Sequence, residues 1–330
     1  MKKIKIGVIG CGSITASVMI FFKLTRGYQV AAFCDKDIKK AVKLQKQFNK
    51  SAVYEDYQEM ISNEHLDAVY VALPHFLHYP VLKELISHQL HILVEKPVTT
   101  DVEQAKELSR LADENHVKVA VNYQYRYDKA LYQLEHSVQN NELGELFFAR
   151  CIVPWHRDQS YFQNAKWHAS MTQAGGGTLI TQGSHLLDVL LNVFNSDIQS
   201  IEGLSKNFRY KENEVEDFSS FTITFKNGSL LQFISTLASP VENRISLEIY
   251  CKNAVATYSS KLFSKVNFTK CAIQKHFHGV RGIHPIHMSI KAFRNWLLFD
   301  QPHLCPIEDS IKVLETVKKI YDQTLSEGGK

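Results

Sequence analysis

Two short polar segments lie next to apolar stretches, where they could carry chemistry. Glu95-Lys96-Pro97 follows the apolar run 92–94, and Gly183-Ser184-His185 lies within a long apolar helical pattern. A positioned lysine ammonium can hydrogen-bond a substrate oxygen, and a histidine imidazole can remove or return a proton near neutral pH. Together they are suited to acid–base chemistry at an oxygen atom.

Both residues also have an ordinary structural explanation. Lys96 could form a salt bridge at a strand end, and a histidine on an apolar helix is often a core residue with its hydrogen bonds satisfied. Two features favour a chemical role for His185. Gly183, two residues earlier, would let a ligand approach closely, and Thr181 lies one turn away on the same helix face.

A third segment, Gly10-Cys11-Gly12, follows an apolar strand pattern and precedes a helical one. Gly10 allows a tight turn, and Gly12, which has no Cβ, lets the backbone approach a pyrophosphate at the helix N-terminus. This strand–turn–helix context predicts a dinucleotide site. Thr15 stands where the fingerprint usually has Gly or Ala, which leaves the helix–strand spacing open. The loop residues assigned to the site are Gly10, Gly12, Ser13 and Ile14.

Asp35 ends the second strand pattern, 23 residues after Gly12. Dinucleotide sites of this kind place a carboxylate about 20 residues on, where it accepts hydrogen bonds from the ribose. Because a carboxylate repels a 2′-phosphate, Asp35 predicts NAD as cofactor. NADP stays open since Lys36 is adjacent, and a solvated turn aspartate is the alternative.

The elements around these residues indicate two domains. Strand and helix patterns alternate from Ile4 to Val121, which predicts βαβ units in a parallel sheet with helices on both faces. The remainder combines helices with mainly antiparallel strands, among them a hairpin at Asn227-Gly228 with a type I′ turn. We predict a Rossmann domain at 1–122 and an α+β domain at 123–330.

Composition narrows the class of protein. The 330 residues are 45% hydrophobic and 22% charged, as in a globular protein with a large core. The net charge is +4 without a dense basic block, so we expect no nucleic-acid partner. Apolar runs are too short to span a membrane. Six cysteines without a CxxC pair predict reduced thiols in the cytoplasm.

Four closely spaced histidines in the C-terminal third are candidates for metal ligands. It comprises His276, His278, His284 and His287. Zinc sites with such ligands usually include a matching cysteine or carboxylate framework, which this segment lacks. We therefore expect no metal.

In their order along the chain, these segments resemble the glucose–fructose oxidoreductase / inositol dehydrogenase (Gfo/Idh/MocA) family, over essentially the whole sequence. The family fold implied is a Rossmann domain followed by an open-faced, mainly antiparallel sheet. The matching segments are Gly-Cys-Gly-Ser-Ile (10–14), Leu-Pro (73–74) with His78, Glu-Lys-Pro (95–97), Tyr-Gln-Tyr-Arg-Tyr (123–127), Gly-Gly-Gly (175–177) and Gly-x-His-x-x-Asp (183–188).

The resemblance implies roles for the matching residues. Lys96 would polarise the reacting oxygen, and His185 would be the general acid/base. Many family members carry Asp or Asn where this chain has Thr181, so the proton relay stays open. The residues implied next to the cofactor are Leu73, Pro74, His78, Glu95 and Lys96. The residues implied next to the substrate are Lys96, Tyr123, Arg126, Thr181 and His185.

The implied reaction transfers hydride between nicotinamide and a secondary alcohol or ketone of a sugar, a sugar derivative or an inositol. The irregular, aromatic-rich stretch 154–174 suits such a substrate. Trp155 could stack on a sugar face, and Arg157 could bind hydroxyls or an anionic group. The alternative is plain packing of the aromatic residues.

Two other functions stay open on the same fold. One is a non-catalytic NAD(P)-sensing regulator, against which the presence of both Lys96 and His185 argues. The other is an enzyme for a non-sugar substrate such as a dihydrodiol. We expect a homodimer or homotetramer formed through the C-terminal sheet.

Overall fold

The computed structural model describes residues 3–48, 50–240, 244–259, 265–269, 274–278 and 284–325, with the backbone alone at 259, 265–269 and 274–278. The strands are β1 (Ile4–Ile9), β2 (Tyr28–Cys34), β3 (Ala52–Tyr54), β4 (Ala68–Val71), β5 (His91–Val94), β6 (Val119–Val121), β7 (Leu146–Pro154), β8 (Ile198–Lys206), β9 (Phe218–Phe225), β10 (Leu230–Thr236), β11 (Ser246–Cys251), β12 (Ala254–Ser259), β13 (Lys265–Thr269) and β14 (Gln274–His278). The helices are α1 (Ser13–Leu24), α2 (Ile38–Gln45), α3 (Tyr57–Asn63), α4 (His78–Ser87), α5 (Val102–Glu114), α6 (Lys129–Gln139), α7 (Gln159–Asn164), α8 (Met171–Ala174), α9 (Ser184–Phe194), α10 (Pro285–Phe299) and α11 (Ile307–Thr324).

The chain divides into two compact units. The first comprises Met1–Gln124 with His284–Ile311, and the second comprises Tyr125–Ile283 with Lys312–Lys330. The division predicted from sequence, 1–122 and 123–330, places residues 284–311 in the second domain, whereas the structure groups them with the first unit. None of the described helices is long and apolar enough to cross a membrane.

A six-stranded parallel sheet forms the centre of the first unit, in the order β3-β2-β1-β4-β5-β6. Its strands are apolar along their length because helices cover both faces, and every residue of β4 is fully buried. The strand order changes direction between β1 and β4, which is where open α/β sheets bind ligands. The predicted Rossmann topology is confirmed.

Helix α10 completes the core of this unit although it comes more than 160 residues later in the chain. Ile290 and Phe293 are fully buried in one cluster with Phe22. The Tyr28 hydroxyl donates to the Ile290 carbonyl across 2.9 Å. The helical pattern of α10 was visible in the sequence, but its periodicity does not indicate which core it joins.

An eight-stranded sheet dominates the second unit, in the order β14-β13-β12-β11-β7-β10-β9-β8. Among these strands only the β7–β10 pair is parallel, so the predicted mainly antiparallel sheet is confirmed. Along β9, buried side chains alternate with half-buried ones. Phe225 on the buried face stacks on Phe194 of α9 at 4.3 Å between ring centroids, so α9 covers that face.

The predicted hairpin joins β9 to β10, but its turn is not type I′. Gly228 has φ +83°, whereas Asn227 is not among the residues with positive φ. Gly228 N donates to Phe225 O, and the Asn227 side chain accepts from Ser229 N at 3.1 Å. A type I turn followed by a left-handed glycine fits this pattern, because only the last position needs glycine.

Arg126, which was assigned to the substrate, instead binds a carboxylate of its own unit. Its Nε lies 2.8 Å from Asp188 Oδ2 and its Nη2 lies 2.6 Å from Asp188 Oδ1. The Arg126 side chain is 9% exposed and that of Asp188 is 0% exposed. A buried bidentate pair of this kind fixes α9 to the turn that contains Arg126, and a further role of Arg126 toward the substrate stays a prediction.

We expect Asp188→Leu to lower the free energy of unfolding by about 3–5 kcal/mol, because it leaves the buried Arg126 guanidinium without its bidentate carboxylate partner. The double variant Arg126→Leu/Asp188→Leu should recover part of the loss. Urea denaturation of the two single variants and the double variant gives the coupling energy. The exposed pair Lys318–Asp322 is the control, and Asp322→Leu should cost less than about 1 kcal/mol. A similar small loss for Asp188→Leu would contradict the interpretation.

Candidate active site

The glycine loop is fixed by its backbone. Gly10 has φ +89°, and a Cβ on it would lie 2.1 Å from the Ala72 carbonyl oxygen. Gly10 N also donates to Cys34 O across 2.9 Å. The loop is thus held against the ends of β4 and β2, and a side chain at position 10 is excluded.

The N-terminus of α1 follows this loop directly. Gly12 is its N-cap, no side chain caps the helix, and the first turn contains no acidic residue. A Cβ on Gly12 would meet no atom within 4 Å, and the adjoining Ser13 and Ile14 are exposed. Backbone amides at an accessible helix start, next to a glycine, form the usual cradle for a dinucleotide pyrophosphate. These residues fit an NAD-type cofactor.

Asp35 lies beside the same loop, as the sequence predicts. Its Oδ2 accepts from Cys11 N at 2.7 Å, and its Oδ1 accepts from Asp37 N at 2.8 Å. The carboxylate is half-buried at the end of β2. A ribose-binding role remains a prediction, and the position suits it because the dinucleotide runs from the glycine loop toward this strand end.

Thr15 stands where the dinucleotide-binding fingerprint usually has Gly or Ala, and the structure accommodates its side chain. The residue is fully buried, and its hydroxyl donates to the Gly10 carbonyl across 2.7 Å. The first helical turn therefore closes back on the loop through a side-chain hydrogen bond. Thr15 therefore stabilises the conformation of the glycine loop.

His78 forms hydrogen-bond contacts with the backbone of its own unit, and its place beside the cofactor stays a prediction. It is fully buried, and its ring nitrogens lie 2.9 Å from Leu73 O and 2.8 Å from Pro97 O. Burial lowers the pKa of the imidazole to about 4. The ring thus links the segment after β4 to the segment after β5. Leu73 and Pro74 are half-buried there, and their place beside the cofactor stays a prediction.

Glu95 is likewise used within the unit. Its Oε1 accepts from Tyr70 Oη at 2.7 Å and from Asn122 Nδ2 at 2.7 Å. Burial raises the pKa of this carboxyl, and the two donors partly oppose that effect. The side chain ties together the ends of β4, β5 and β6. These contacts support a positioning role, and its assignment to the cofactor stays a prediction.

Lys96 is half-buried, whereas Glu95, Pro97, Val98 and Thr99 around it are buried. Among these neighbours it is the residue presented at the carboxyl edge of the sheet. Tyr123, which was assigned to the substrate, is only 1% exposed. Its ring is therefore buried, and its assignment to the substrate stays a prediction.

His185 lies just after an irregular helical turn in the second unit. Leu179–Gly183 forms a π-helical turn, and α9 begins at Ser184. Single π turns inside helices are frequent at functional sites. The imidazole is half-buried, and its ring centroid lies 5.4 Å from that of Tyr125.

Thr181 belongs to this turn, but its hydroxyl is directed at the backbone. The Oγ1 donates to Gly177 O across 2.6 Å, and the residue is 4% exposed. This is the back-bonding that threonine often makes within helices. The donor of Thr181 is thus used within the helix, and its assignment to substrate binding stays a prediction.

Glu216, which the sequence reasoning missed, lies at the start of this helical segment. Its Oε2 accepts from Gly177 N at 2.8 Å and its Oε1 accepts from Leu179 N at 2.9 Å. Burial raises the pKa of the carboxyl to about 7. A helix preceded by three glycines, with no capping residue of its own, was the signal that a partner from elsewhere was needed.

Arg157 lies between two aromatic rings. Its guanidinium carbon is 5.6 Å from the Trp155 ring centroid and 5.1 Å from that of Tyr161. Its Nη1 donates to His156 O at 2.9 Å. Trp155 and Tyr161 in turn pack on a buried cluster that includes Phe162. The aromatic residues are thus partly packing, and both Trp155 and Arg157 are half-buried.

The surrounding stretch is more regular than predicted. Instead of an irregular segment at 154–174, the chain forms α7, a 3₁₀ turn at Lys166–Ala169 and α8. Each is only one or two turns long, so no sustained helical periodicity marks it in the sequence.

The structure does not assemble a metal site from the residues it describes. His284 and His287 stack on Phe21 at 4.7 and 5.6 Å between ring centroids. The side chains of His276 and His278 lie outside the described residues.

Comparison with known proteins decides the family. Residues 4–123 match the model described as "Oxidoreductase family, NAD-binding Rossmann fold", and residues 131–257 match the "GFO/IDH/MocA C-terminal domain". The chain belongs to the Gfo/Idh/MocA family. It is accordingly an NAD(P)-dependent oxidoreductase, with a nicotinamide dinucleotide as its cofactor.

Two curated relatives and one solved structure illustrate the similarity. An uncharacterized oxidoreductase of Synechocystis is 27% identical over 243 residues, which are 73% of this chain and 64% of that protein. The D-glucoside 3-dehydrogenase of Escherichia coli is 26% identical over 268 residues, 74% of each chain. The WlbA dehydrogenase of Bordetella pertussis, solved with NADH and UDP-GlcNAcA, has a TM-score of 0.86 at 19% identity and covers 99% of this chain and 98% of its own.

We expect Thr15→Val to raise the Kd for NADH several-fold. The isosteric change leaves the buried Gly10 carbonyl without this donor, which costs about 1–3 kcal/mol of stability at the loop. Thr15→Ser keeps the hydroxyl and is the matched control. Fluorescence titration of NADH and thermal unfolding of both variants test this. Equal Kd values for the Val variant and the unmodified protein would show that the hydrogen bond does not shape the loop.

Proposed function

We propose that this enzyme transfers hydride between NAD and a secondary alcohol or ketone of a sugar, a sugar derivative or an inositol. The observation that carries the proposal is the placement of Lys96. It is the half-buried residue among buried neighbours at the carboxyl edge of a dinucleotide-binding sheet. The glucoside specificity named for the Escherichia coli relative supports this substrate class.

Lys96 and His185 divide the work on the substrate oxygen in this proposal. The bound nicotinamide supplies the hydride acceptor. The Lys96 ammonium hydrogen-bonds the reacting oxygen and stabilises the negative charge that develops on it. The His185 imidazole takes the hydroxyl proton during oxidation and returns it during reduction.

We also propose that Trp155 and Arg157 bind the substrate. The exposed parts of an indole ring and a guanidinium suit a sugar's C–H face and its hydroxyl or anionic groups. Arg157 is already held by two aromatic rings, so it would present its donors without a large further loss of side-chain entropy.

A homodimer or homotetramer through the eight-stranded sheet is proposed for the assembly. Phe148, Ile152 and Ile234 are half-buried and Leu230 is 37% exposed on neighbouring strands of this sheet. Such a face is the kind that a second subunit covers. Sedimentation velocity would reveal a monomer if this is wrong.

Asp35 should set the cofactor preference. We expect the unmodified protein to bind NADH more tightly than NADPH, because the carboxylate repels a 2′-phosphate. Asp35→Asn keeps an oxygen acceptor for Cys11 N but removes the charge, so it should narrow the preference by about tenfold. Asp37→Asn, two residues on and exposed, should leave it unchanged. Fluorescence titration measures both cofactors, and tighter NADPH binding by the unmodified protein would overturn the assignment.

Lys96 and His185 should be needed for turnover but not for cofactor binding. We expect Lys96→Met to lower kcat by about 10²–10³-fold and His185→Ala by about 10²–10⁴-fold, with the Kd for NADH nearly unchanged. Lys83→Met, which removes a half-exposed lysine of α4, is the control. Assays on a panel of sugars, inositols and dihydrodiols identify the substrate.

Either variant with near-full activity would refute the role assigned to that residue. An unmodified protein that binds NADH but turns over no alcohol or ketone of the panel would favour the sensing function instead.

A further inference from the structure

Glu216 accepts hydrogen bonds from the backbone amides at the start of the helical segment that carries His185. The segment runs from Thr178 through the π turn into α9, and no side chain of its own caps it. The carboxylate accepts from Gly177 N and Leu179 N, and the main-chain oxygen of Glu216 accepts from Thr178 N at 3.0 Å. A helix has no internal acceptors for its first amides. Here three successive amides bind Glu216, which lies just before β9.

The contact is too close to tolerate a shift. A Cβ on Gly177 would lie 1.8 Å from Glu216 O, and one on Gly176, with φ +138°, would lie 2.1 Å from Tyr321 Oη. The glycines thus allow the backbone to reach Glu216 and Tyr321 directly. The Tyr321 hydroxyl donates a hydrogen bond to Glu216 Oε1 at 2.9 Å, which also holds the carboxylate in place.

The position of His185 depends on this start. A π turn has one extra residue per turn, so the direction of every side chain after it depends on where the turn begins. His185 is the second residue of α9. A start displaced by one residue would rotate the imidazole by about 100° around the helix axis.

We propose that Glu216 is a positioning residue for His185, acting by fixing the first three amides of the helical segment that presents the imidazole. The proposal rests on the proposed catalytic function for its kinetic part only. Its structural part concerns amides and a histidine that can be observed without any substrate.

The charge of Glu216 adds a pH dependence to this role. Two amides and the Tyr321 hydroxyl favour the carboxylate, while burial favours the neutral acid and raises the pKa to about 7. Among the described residues, Tyr321 is the titratable group that acts on this carboxyl. Protonation turns one oxygen into a donor, which then no longer accepts from an amide. The hydrogen-bonding pattern at the helix start therefore changes with the protonation of Glu216, and hydrogen exchange at 177–183 should change as the pH passes through about 7.

Hydrogen exchange followed by mass spectrometry tests the structural part on the full chain. Glu216→Gln should speed exchange in peptides covering 177–183 by about tenfold or more, since an amide group replaces one acceptor oxygen with donors. Diethyl pyrocarbonate should then modify His185 several-fold faster. Glu214→Gln is the control, because Glu214 is an exposed carboxylate two residues away that caps α8 at Met171 N. Its exchange at 177–183 should equal that of the unmodified protein.

Steady-state kinetics test the consequence. Glu216→Gln should lower kcat by about 10-fold or more, with KM and the Kd for NADH changed by less than about threefold. If Glu216→Gln does not fold, Tyr321→Phe removes one hydrogen bond and should give smaller changes in the same direction.

Two results would overturn the proposal. One is a folded Glu216→Gln variant in which hydrogen exchange at 177–183 and the labelling rate of His185 are both unchanged. The other is faster exchange at 177–183 with unchanged kcat. Failure of the proposed function looks different, because an inactive unmodified enzyme would still show the exchange and labelling changes.

Discussion

The first amides of a helix have no acceptor within that helix, and the two units meet this constraint in opposite ways. At α1 the amides after Gly12 have no side-chain cap, and the neighbouring glycine leaves them accessible. At the segment leading to α9, Glu216 accepts the corresponding amides. An uncapped start can bind an anion, whereas a capped start holds a side chain in place. The same physical deficit therefore leaves accessible amides at the helix start of one unit and a fully bonded helix start in the other.

Buried polar side chains do much of the remaining positioning in the first unit. Glu95 binds Tyr70 and Asn122, and Asn122 Oδ1 accepts from Ser289 Oγ at 2.9 Å. Ser289 also lies 3.2 Å from His303 Nε2. Because each buried polar group needs a partner, this chain of contacts holds the ends of three strands and α10 in register. These hydrogen bonds hold in place the carboxyl edge of the sheet, where Lys96 lies.

Much of the fold followed from sequence patterns, because continuous apolar strands and period-two alternation are local properties. The partners of buried polar residues were not predictable in this way. Arg126 and Asp188 are 62 positions apart, and Glu216 is 37 positions from Leu179. Motif matching located polar residues near the site but could not tell which atoms they face. It therefore assigned Arg126 and Thr181 to a ligand although each binds the protein itself.

Helix α10 has a consequence for how the chain is made. A ribosome delivers residues 3–124 long before 284–311, so the nascent first unit has its six strands but lacks Ile290 and Phe293 from its core. The apolar surface that these side chains later cover stays exposed during synthesis of the entire second unit. Such surfaces are where chaperones bind and where aggregation begins. The first unit, although built mostly from residues before 125, can finish folding only after residues 284–311 have emerged.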